Sequence, residues 1–147
     1  MSNLKKYIFP VCLILLVVLF HCFFLIYQVH GDSMDPTLKN NNFGLAVRTT
    51  VAKINRFDIV IIDYYGKNLV KRVIGLPGET IDYINNTLYV NGEVVEEDFV
   101  NAITYDFSVT LGENEYYCLG DNREHSSDSR VYGPFTKKQI KAVLIGG

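Results

Sequence analysis

The sequence predicts a mainly β domain carried behind a single N-terminal membrane-spanning helix. Three observations lead to that class. A long apolar run lies near the N-terminus, β-branched and aromatic runs of strand length follow it, and an Asn-Gly pair separates two of those runs. With 147 residues there is room for one domain and one appendage, not for two large cores.

The apolar run covers residues 7–29 and is broken only by Pro10, His21 and Gln28. As a helix it reaches about 35 Å at about 1.5 Å per residue, enough to cross a hydrocarbon core of about 30 Å. Pro10 lies near the start, where a helix tolerates it. The run exceeds the apolar stretch of a cleaved export signal and no Ala-x-Ala pattern follows it, so it reads as a retained anchor. Lys5 and Lys6 precede it, while His30 and Asp32 follow. The positive-inside tendency puts residues 1–6 in the cytoplasm and residues 30–147 outside, in a single-pass protein of the cell membrane with the lipid bilayer as a partner.

Beyond the anchor, residues 57–62 and 69–74 have the β-branched composition of strands. Thr87-Leu88-Tyr89-Val90 and Glu93-Val94-Val95 flank Asn91-Gly92, which accepts the positive φ angles of a tight hairpin. Asn85-Asn86 marks another turn. Residues 115–119 form a strand ending at Gly120. Thr136 is placed to cap a short helix over residues 136–140, and residues 142–145 close the domain as a strand.

A net charge of −2 with no basic stripe gives no nucleic-acid signature. Cys12 and Cys22 lie in the anchor and Cys118 far from both, with no Cys-x-x-Cys, so neither a zinc site nor a disulfide framework is supported. Cys118 reads as a small buried hydrophobe on a strand. His21, alone among apolar neighbours, reads as neutral at a helix contact or near the headgroups.

Chemistry concentrates in two boxes, Gly31-Asp32-Ser33-Met34-Asp35-Pro36-Thr37-Leu38 and Leu69-Val70-Lys71-Arg72-Val73-Ile74-Gly75-Leu76-Pro77-Gly78-Glu79. A serine hydroxyl is a weak nucleophile until a base takes its proton. A lysine is that base only when burial lowers its pKa from about 10.4 toward the working pH. Strand alternation puts Lys71 with Leu69 and Val73, and Arg72 with Val70 and Ile74. Both faces are apolar, so periodicity does not say which cation is buried. Of the two, only lysine titrates. Taken alone, Lys71 reads as a strand lysine snorkelling to solvent, and Asp32-Ser33 as a turn or cap.

A third box, Gly120-Asp121-Asn122-Arg123-Glu124-His125-Ser126-Ser127-Asp128-Ser129-Arg130-Val131-Tyr132-Gly133, follows in order. With all three and the anchor, the chain resembles bacterial type I signal peptidases over nearly its whole length. Together the boxes are far more specific than Ser-Met-x-Pro-Thr alone.

That resemblance implies an enzyme that removes signal peptides from exported preproteins after Ala-x-Ala-like sites, without metal or nucleotide cofactor. Ser33 would attack the scissile carbonyl and Lys71 would act as general base, through an ester on Ser33. Met34 would help line the pocket for the small residue before the cleaved bond. Ser126 would hydrogen-bond and orient the lysine. Asp121 with Arg72, and Asp128 with Arg130, would form two structural ion pairs. The substrate would add as a strand near Asp32 and Ser33 and near Asn68, Leu69 and Val70. The N–H of Ser33 would donate to the oxyanion. Some relatives place a serine two residues before the nucleophile as a second donor; Gly31 stands here, so a backbone or water donor must serve.

His125 falls at a variable position of its box and reads as exposed. Phe57 precedes Asp58 where the family often has glycine. The short stretch between Glu79 and Gly120 implies a compact form without the large extra β domain of some relatives. Three other readings compete: a non-catalytic membrane-anchored binding module, a self-cleaving repressor-type Ser-Lys peptidase, and a specialised peptidase of a pilus or secretion cluster. The second calls for a DNA-binding domain and an Ala-Gly cleavage site, and the chain has neither.

Overall fold

The computed structural model describes residues 2–100 and 102–146. Helix α1 spans Ser2–Phe23, and its stretch Lys6–Phe23 is long and apolar enough to cross a membrane. None of that stretch is buried within the protein, as expected of a helix whose apolar surface faces something other than its own domain.

The expected helix through residue 29 ends earlier. Strand β1, Phe24–Gln28, leaves α1 without a linker and pairs antiparallel with β2, Phe43–Arg48. In Phe-Leu-Ile-Tyr-Gln, Leu25 and Tyr27 turn into the domain core while Ile26 and Gln28 stay exposed, a period of two. Apolar content alone does not separate such a strand from the helix before it.

The other strands are β3 (Ile59–Tyr64), β4 (Lys67–Gly75), β5 (Thr80–Ile84), β6 (Thr87–Val90), β7 (Glu93–Val95), β8 (Phe107–Thr110), β9 (Glu115–Leu119), β10 (Phe135–Thr136) and β11 (Ile140–Leu144). They form two antiparallel sheets. The larger runs β1-β2-β11-β3-β4-β9-β10 and the smaller β7-β6-β5-β8. Asn91 and Gly92 both have positive φ, as the β6–β7 hairpin requires, and so do Asn85 and Asn86 between β5 and β6.

No helix forms over residues 136–140. Thr136 still bonds Gln139, through N and Oγ1 to Oε1 at 2.8 and 2.9 Å, but the turn so closed joins β10 to β11. Pairing of Phe135 with Tyr116 and of Ile140 with Ile62 fixes both ends in strands. A short four-residue helix, α2, instead covers Ser129–Tyr132, with Asp128 as its cap.

Apolar side chains fill three clusters. One centres on Val60, Ile62, Val73, Cys118, Phe135 and Ile140, and a second joins Ile74 and Leu119 to the smaller sheet. The third, Met34 with Ala46, Ile59, Ile61, Ala142 and Leu144, lies beneath β1 and the loop that follows it. That third cluster anchors the loop carrying Ser33.

Candidate active site

Ser33 lies in the loop after β1. The loop is held from both sides: Met34 is 1% exposed in the core, and Leu38 N donates to Met34 O at 2.8 Å. Asn122 reaches it from the third box, N to Ser33 O and Nδ2 to Asp32 O, each at 3.1 Å. Ser33 N makes no hydrogen bond among the described residues, which leaves it free to meet a developing oxyanion.

Lys71 is opposite Val60 on β4, and its Nζ is 2.6 Å from Ser33 Oγ. The structure buries both cations of the pair that periodicity left open: Lys71 is 4% and Arg72 5% exposed. What separates them is their partners. Arg72 forks onto Asp121, Nε to Oδ1 at 2.9 Å and Nη2 to Oδ2 at 2.7 Å, and also donates to Phe57 O. Among the described residues Lys71 has no carboxylate in contact. Burial therefore pushes its pKa down to about 8 from 10.5; Asp128 and Asp121 oppose that shift and Arg130 adds to it.

Asp128 is engaged elsewhere. Its oxygens take the Arg130 guanidinium at 2.8 Å through both Nε and Nη2, and Gly120 N at 3.0 Å. Burial raises the Asp128 pKa, but the Arg130 fork and the Gly120 N–H outweigh it, so the net shift is downward. Both expected ion pairs are thus present, and both stiffen the loop that faces Ser33. Asp121 also accepts from Thr37 Oγ1 at 2.6 Å, tying the serine loop to the Arg72 pair.

One expected contact is not made: among the described residues Ser126 has no hydrogen bond to Lys71, its Oγ being buried against Gly120 and near enough to the Asp128 carboxylate to help hold that carboxyl's pKa down. Met34 is buried just under the groove, in the cluster of Ala46, Ile59 and Ile61 on which Leu25, Tyr27 and Val70 of the groove walls also pack.

The groove itself, about 380 Å³, has residues 25–30 and Ser33 as one wall and residues 68–71 as the other, with Ile61 beneath. Leu69 and Val70 line it as expected; Asp32 is exposed outside it, and β1 supplies the wall that was read as anchor. Only the alternation of Leu25 and Tyr27 with polar Gln28 signalled that wall. Both walls offer unpaired backbone. Strand β4 pairs with β9 only from Arg72 onward, and β1 has β2 on a single side.

Arg123 went unread. Fully buried, it bonds Glu97 at 2.6 Å, Tyr83 and Thr104 at 2.7 Å and Gly120 O at 3.1 Å, which clamps the smaller sheet to the third box. Its partners are scattered in sequence and leave no local pattern. Phe57 sits at φ +69°, in the left-handed region that favours glycine. Here the ring packs on Phe99, 5.1 Å between centroids, and the carbonyl serves Arg72. His125 is exposed, as expected.

A family model described as "Signal peptidase, peptidase S26" matches residues 1–145. The chain belongs to that family. Signal peptidase I S of Bacillus subtilis (strain 168) is 40% identical over 147 aligned residues, 88% of this chain and 79% of that protein. Signal peptidase IB of Staphylococcus aureus (strain COL) is 37% identical, over 78% of this chain and 72% of that protein. The crystal structure of a signal peptidase I from Enterococcus faecalis superposes with a TM-score of 0.61 at 36% identity, covering 65% of this chain and 99% of that one. The protein is accordingly a serine endopeptidase of the signal peptidase I kind, acting on exported preproteins to remove their signal peptides.

Proposed function

We propose that Ser33 and Lys71 carry the hydrolysis as a nucleophile–base pair, in an enzyme held in the bilayer by α1 with its N-terminus in the cytoplasm. The observation that carries this reading is the 2.6 Å approach of Lys71 Nζ to Ser33 Oγ, with the amine buried and unpaired with any carboxylate. Neutral Nζ takes the proton of Ser33 Oγ as that oxygen attacks the scissile carbonyl. The oxyanion meets the Ser33 N–H, and the ammonium of Lys71 returns its proton to the leaving amine. An ester on Ser33 remains until a water, deprotonated by Lys71, releases the signal peptide.

Substrate enters as an extended strand between the free edges of β1 and residues 67–71 of β4, main chain to main chain. The groove starts at Leu25 and Asn68, beside the end of α1, and runs to Ser33 and Lys71. A signal helix lying in the membrane beside the anchor therefore feeds its following residues straight into the groove.

The test is cleavage of a purified preprotein bearing an Ala-x-Ala site, in detergent, by wild type, Ser33→Ala and Lys71→Ala free of host peptidase. Each variant should lose about 1,000-fold or more in kcat while keeping its fold by circular dichroism. Substantial turnover by either would refute the assigned roles.

A further inference from the structure

The end of the large sheet from which α1 emerges carries positive charge that the active site does not use. Register gathers the start of β1, the end of β2 and the start of β11 there: Phe24 faces Val47, and Arg48 faces Ala142. Arg48 Nε donates to His21 O, in the last turn of α1, at 3.1 Å. Thr49 bonds Lys141 O through its N at 3.0 Å and Ile140 O through its Oγ1 at 2.7 Å, which seats the β10–β11 turn alongside. A shallow cleft of about 550 Å³ results, with Arg48, Lys137, Lys138 and Lys141 in its walls and no carboxylate among its lining residues.

The whole chain has a net charge of −2, so four cations on one rim are a local concentration. Lys141 is shared with Asp63 at 2.8 Å and Asn68 at 3.2 Å. The nearby Glu115 carboxylate is turned back onto Gly112 N at 2.8 Å. Lys137 and Lys138 are exposed and make no side-chain hydrogen bond or ion pair among the described residues. Tyr65, 91% exposed in the β3–β4 turn, lies at the same end of the sheet, an aromatic of the kind enriched at membrane interfaces.

We propose that this rim binds the phosphate headgroups of anionic phospholipids in the leaflet where α1 ends. The proposal rests on the anchor reading above. The Arg48 contact to His21 O sets the rim at the depth of the helix end, well within the reach of about 8–10 Å over which headgroup charge is felt at physiological salt. Bound there, the headgroups would hold the sheet end against the bilayer and fix the height of the groove above it.

The test uses the full chain reconstituted in phosphatidylcholine vesicles with a trace of spin-labelled phosphatidylglycerol or spin-labelled phosphatidylcholine. Electron paramagnetic resonance reads the motionally restricted fraction of each label. Wild type should prefer phosphatidylglycerol, and Lys137→Gln/Lys138→Gln should lower that preference by about twofold or more, as added salt does for wild type. Lys5 and Lys6, at the other end of α1, are common to both proteins and cancel in the comparison. Equal preference in both proteins would overturn the proposal. So would loss of the preference on adding inorganic phosphate at constant ionic strength, which would make the cleft a small-anion site. Release of the chain from vesicles by an alkaline wash would instead remove the anchor reading, and this proposal with it.

Discussion

Lys71 and Arg72 sit side by side on β4, 4% and 5% exposed, and differ in what meets them. A forked carboxylate lets Arg72 stay charged in the interior, whereas Lys71 faces only a hydroxyl, so its ammonium is costly and its amine is available. The cost has a sign that can be measured. Between the folded pKa of about 8 and the unfolded 10.5, the unfolded chain binds more protons, so stability rises with pH across that window and the penalty is complete below it. Lys71→Met should therefore stabilise the protein at pH 7 by about 1–3 kcal/mol, with the gain shrinking as pH climbs above 8. Urea unfolding of the two proteins at matched pH values checks this; a destabilised variant at pH 7 would mean that Lys71 is well paired. Ser126→Ala removes a buried hydroxyl beside an Asp128 carboxylate already held by Arg130 and Gly120, and should change stability by no more than about 1 kcal/mol. A loss of more than about 2 kcal/mol in thermal unfolding would show that the hydroxyl is firmly bonded. At this scale the meeting of Ser33 with Lys71, Nζ to Oγ at 2.6 Å, was expected only through the resemblance of the three boxes, because taken alone the two residues read as a turn and a snorkelling lysine.

The elements that hold the site are the loop after β1, β4, and the third box behind β9. Their closest meeting is at Gly120, where an added Cβ would press on both Ser33 O and Ser126 Oγ. Gly120→Ala should displace Ser33 and cut kcat by about 100-fold, with folding retained. Unaltered turnover would show that the loop yields without moving Ser33. Asp121→Ala strands the Arg72 guanidinium and Thr37 together, so it should cost about 3–5 kcal/mol in urea unfolding. A cost under about 1 kcal/mol would mean that the pair is solvated. Hairpins set by local chemistry, such as Asn91-Gly92, were readable because two residues fix the turn. Residues 24–28 and 136–140 were misread as helix for one reason: strand pairing with partners distant in sequence, β2 for the first and β9 and β3 for the second, overrode a local pattern that a helix would also satisfy.

Across the whole molecule, helix, groove and the Ser33–Lys71 contact lie in sequence along one direction: α1 ends, β1 begins, and the groove beside β1 leads to Ser33. The five residues of β1 span roughly 16 Å at about 3.3 Å each, so a substrate needs a comparable extended stretch between its apolar helix and the cleaved bond. Precursors with that stretch cut to two residues should be cleaved at least tenfold more slowly than those with about five, in a length series on one preprotein. Equal rates would mean that the substrate does not run along β1. The architecture of an N-terminal apolar helix plus a β domain was visible in the sequence, while the second sheet's clamp through Arg123 and Glu97 was not, because its partners come from four separate segments.

The central claim is that a buried neutral Lys71 is the base for Ser33, and the pH dependence of kcat/KM tests it most directly. On an Ala-x-Ala preprotein, kcat/KM should rise about tenfold per pH unit below an apparent pKa of about 8 and level off above it. A profile that is flat or falls between pH 6 and 8 would contradict a lysine base and leave Lys71 as a fixed positive charge beside the serine.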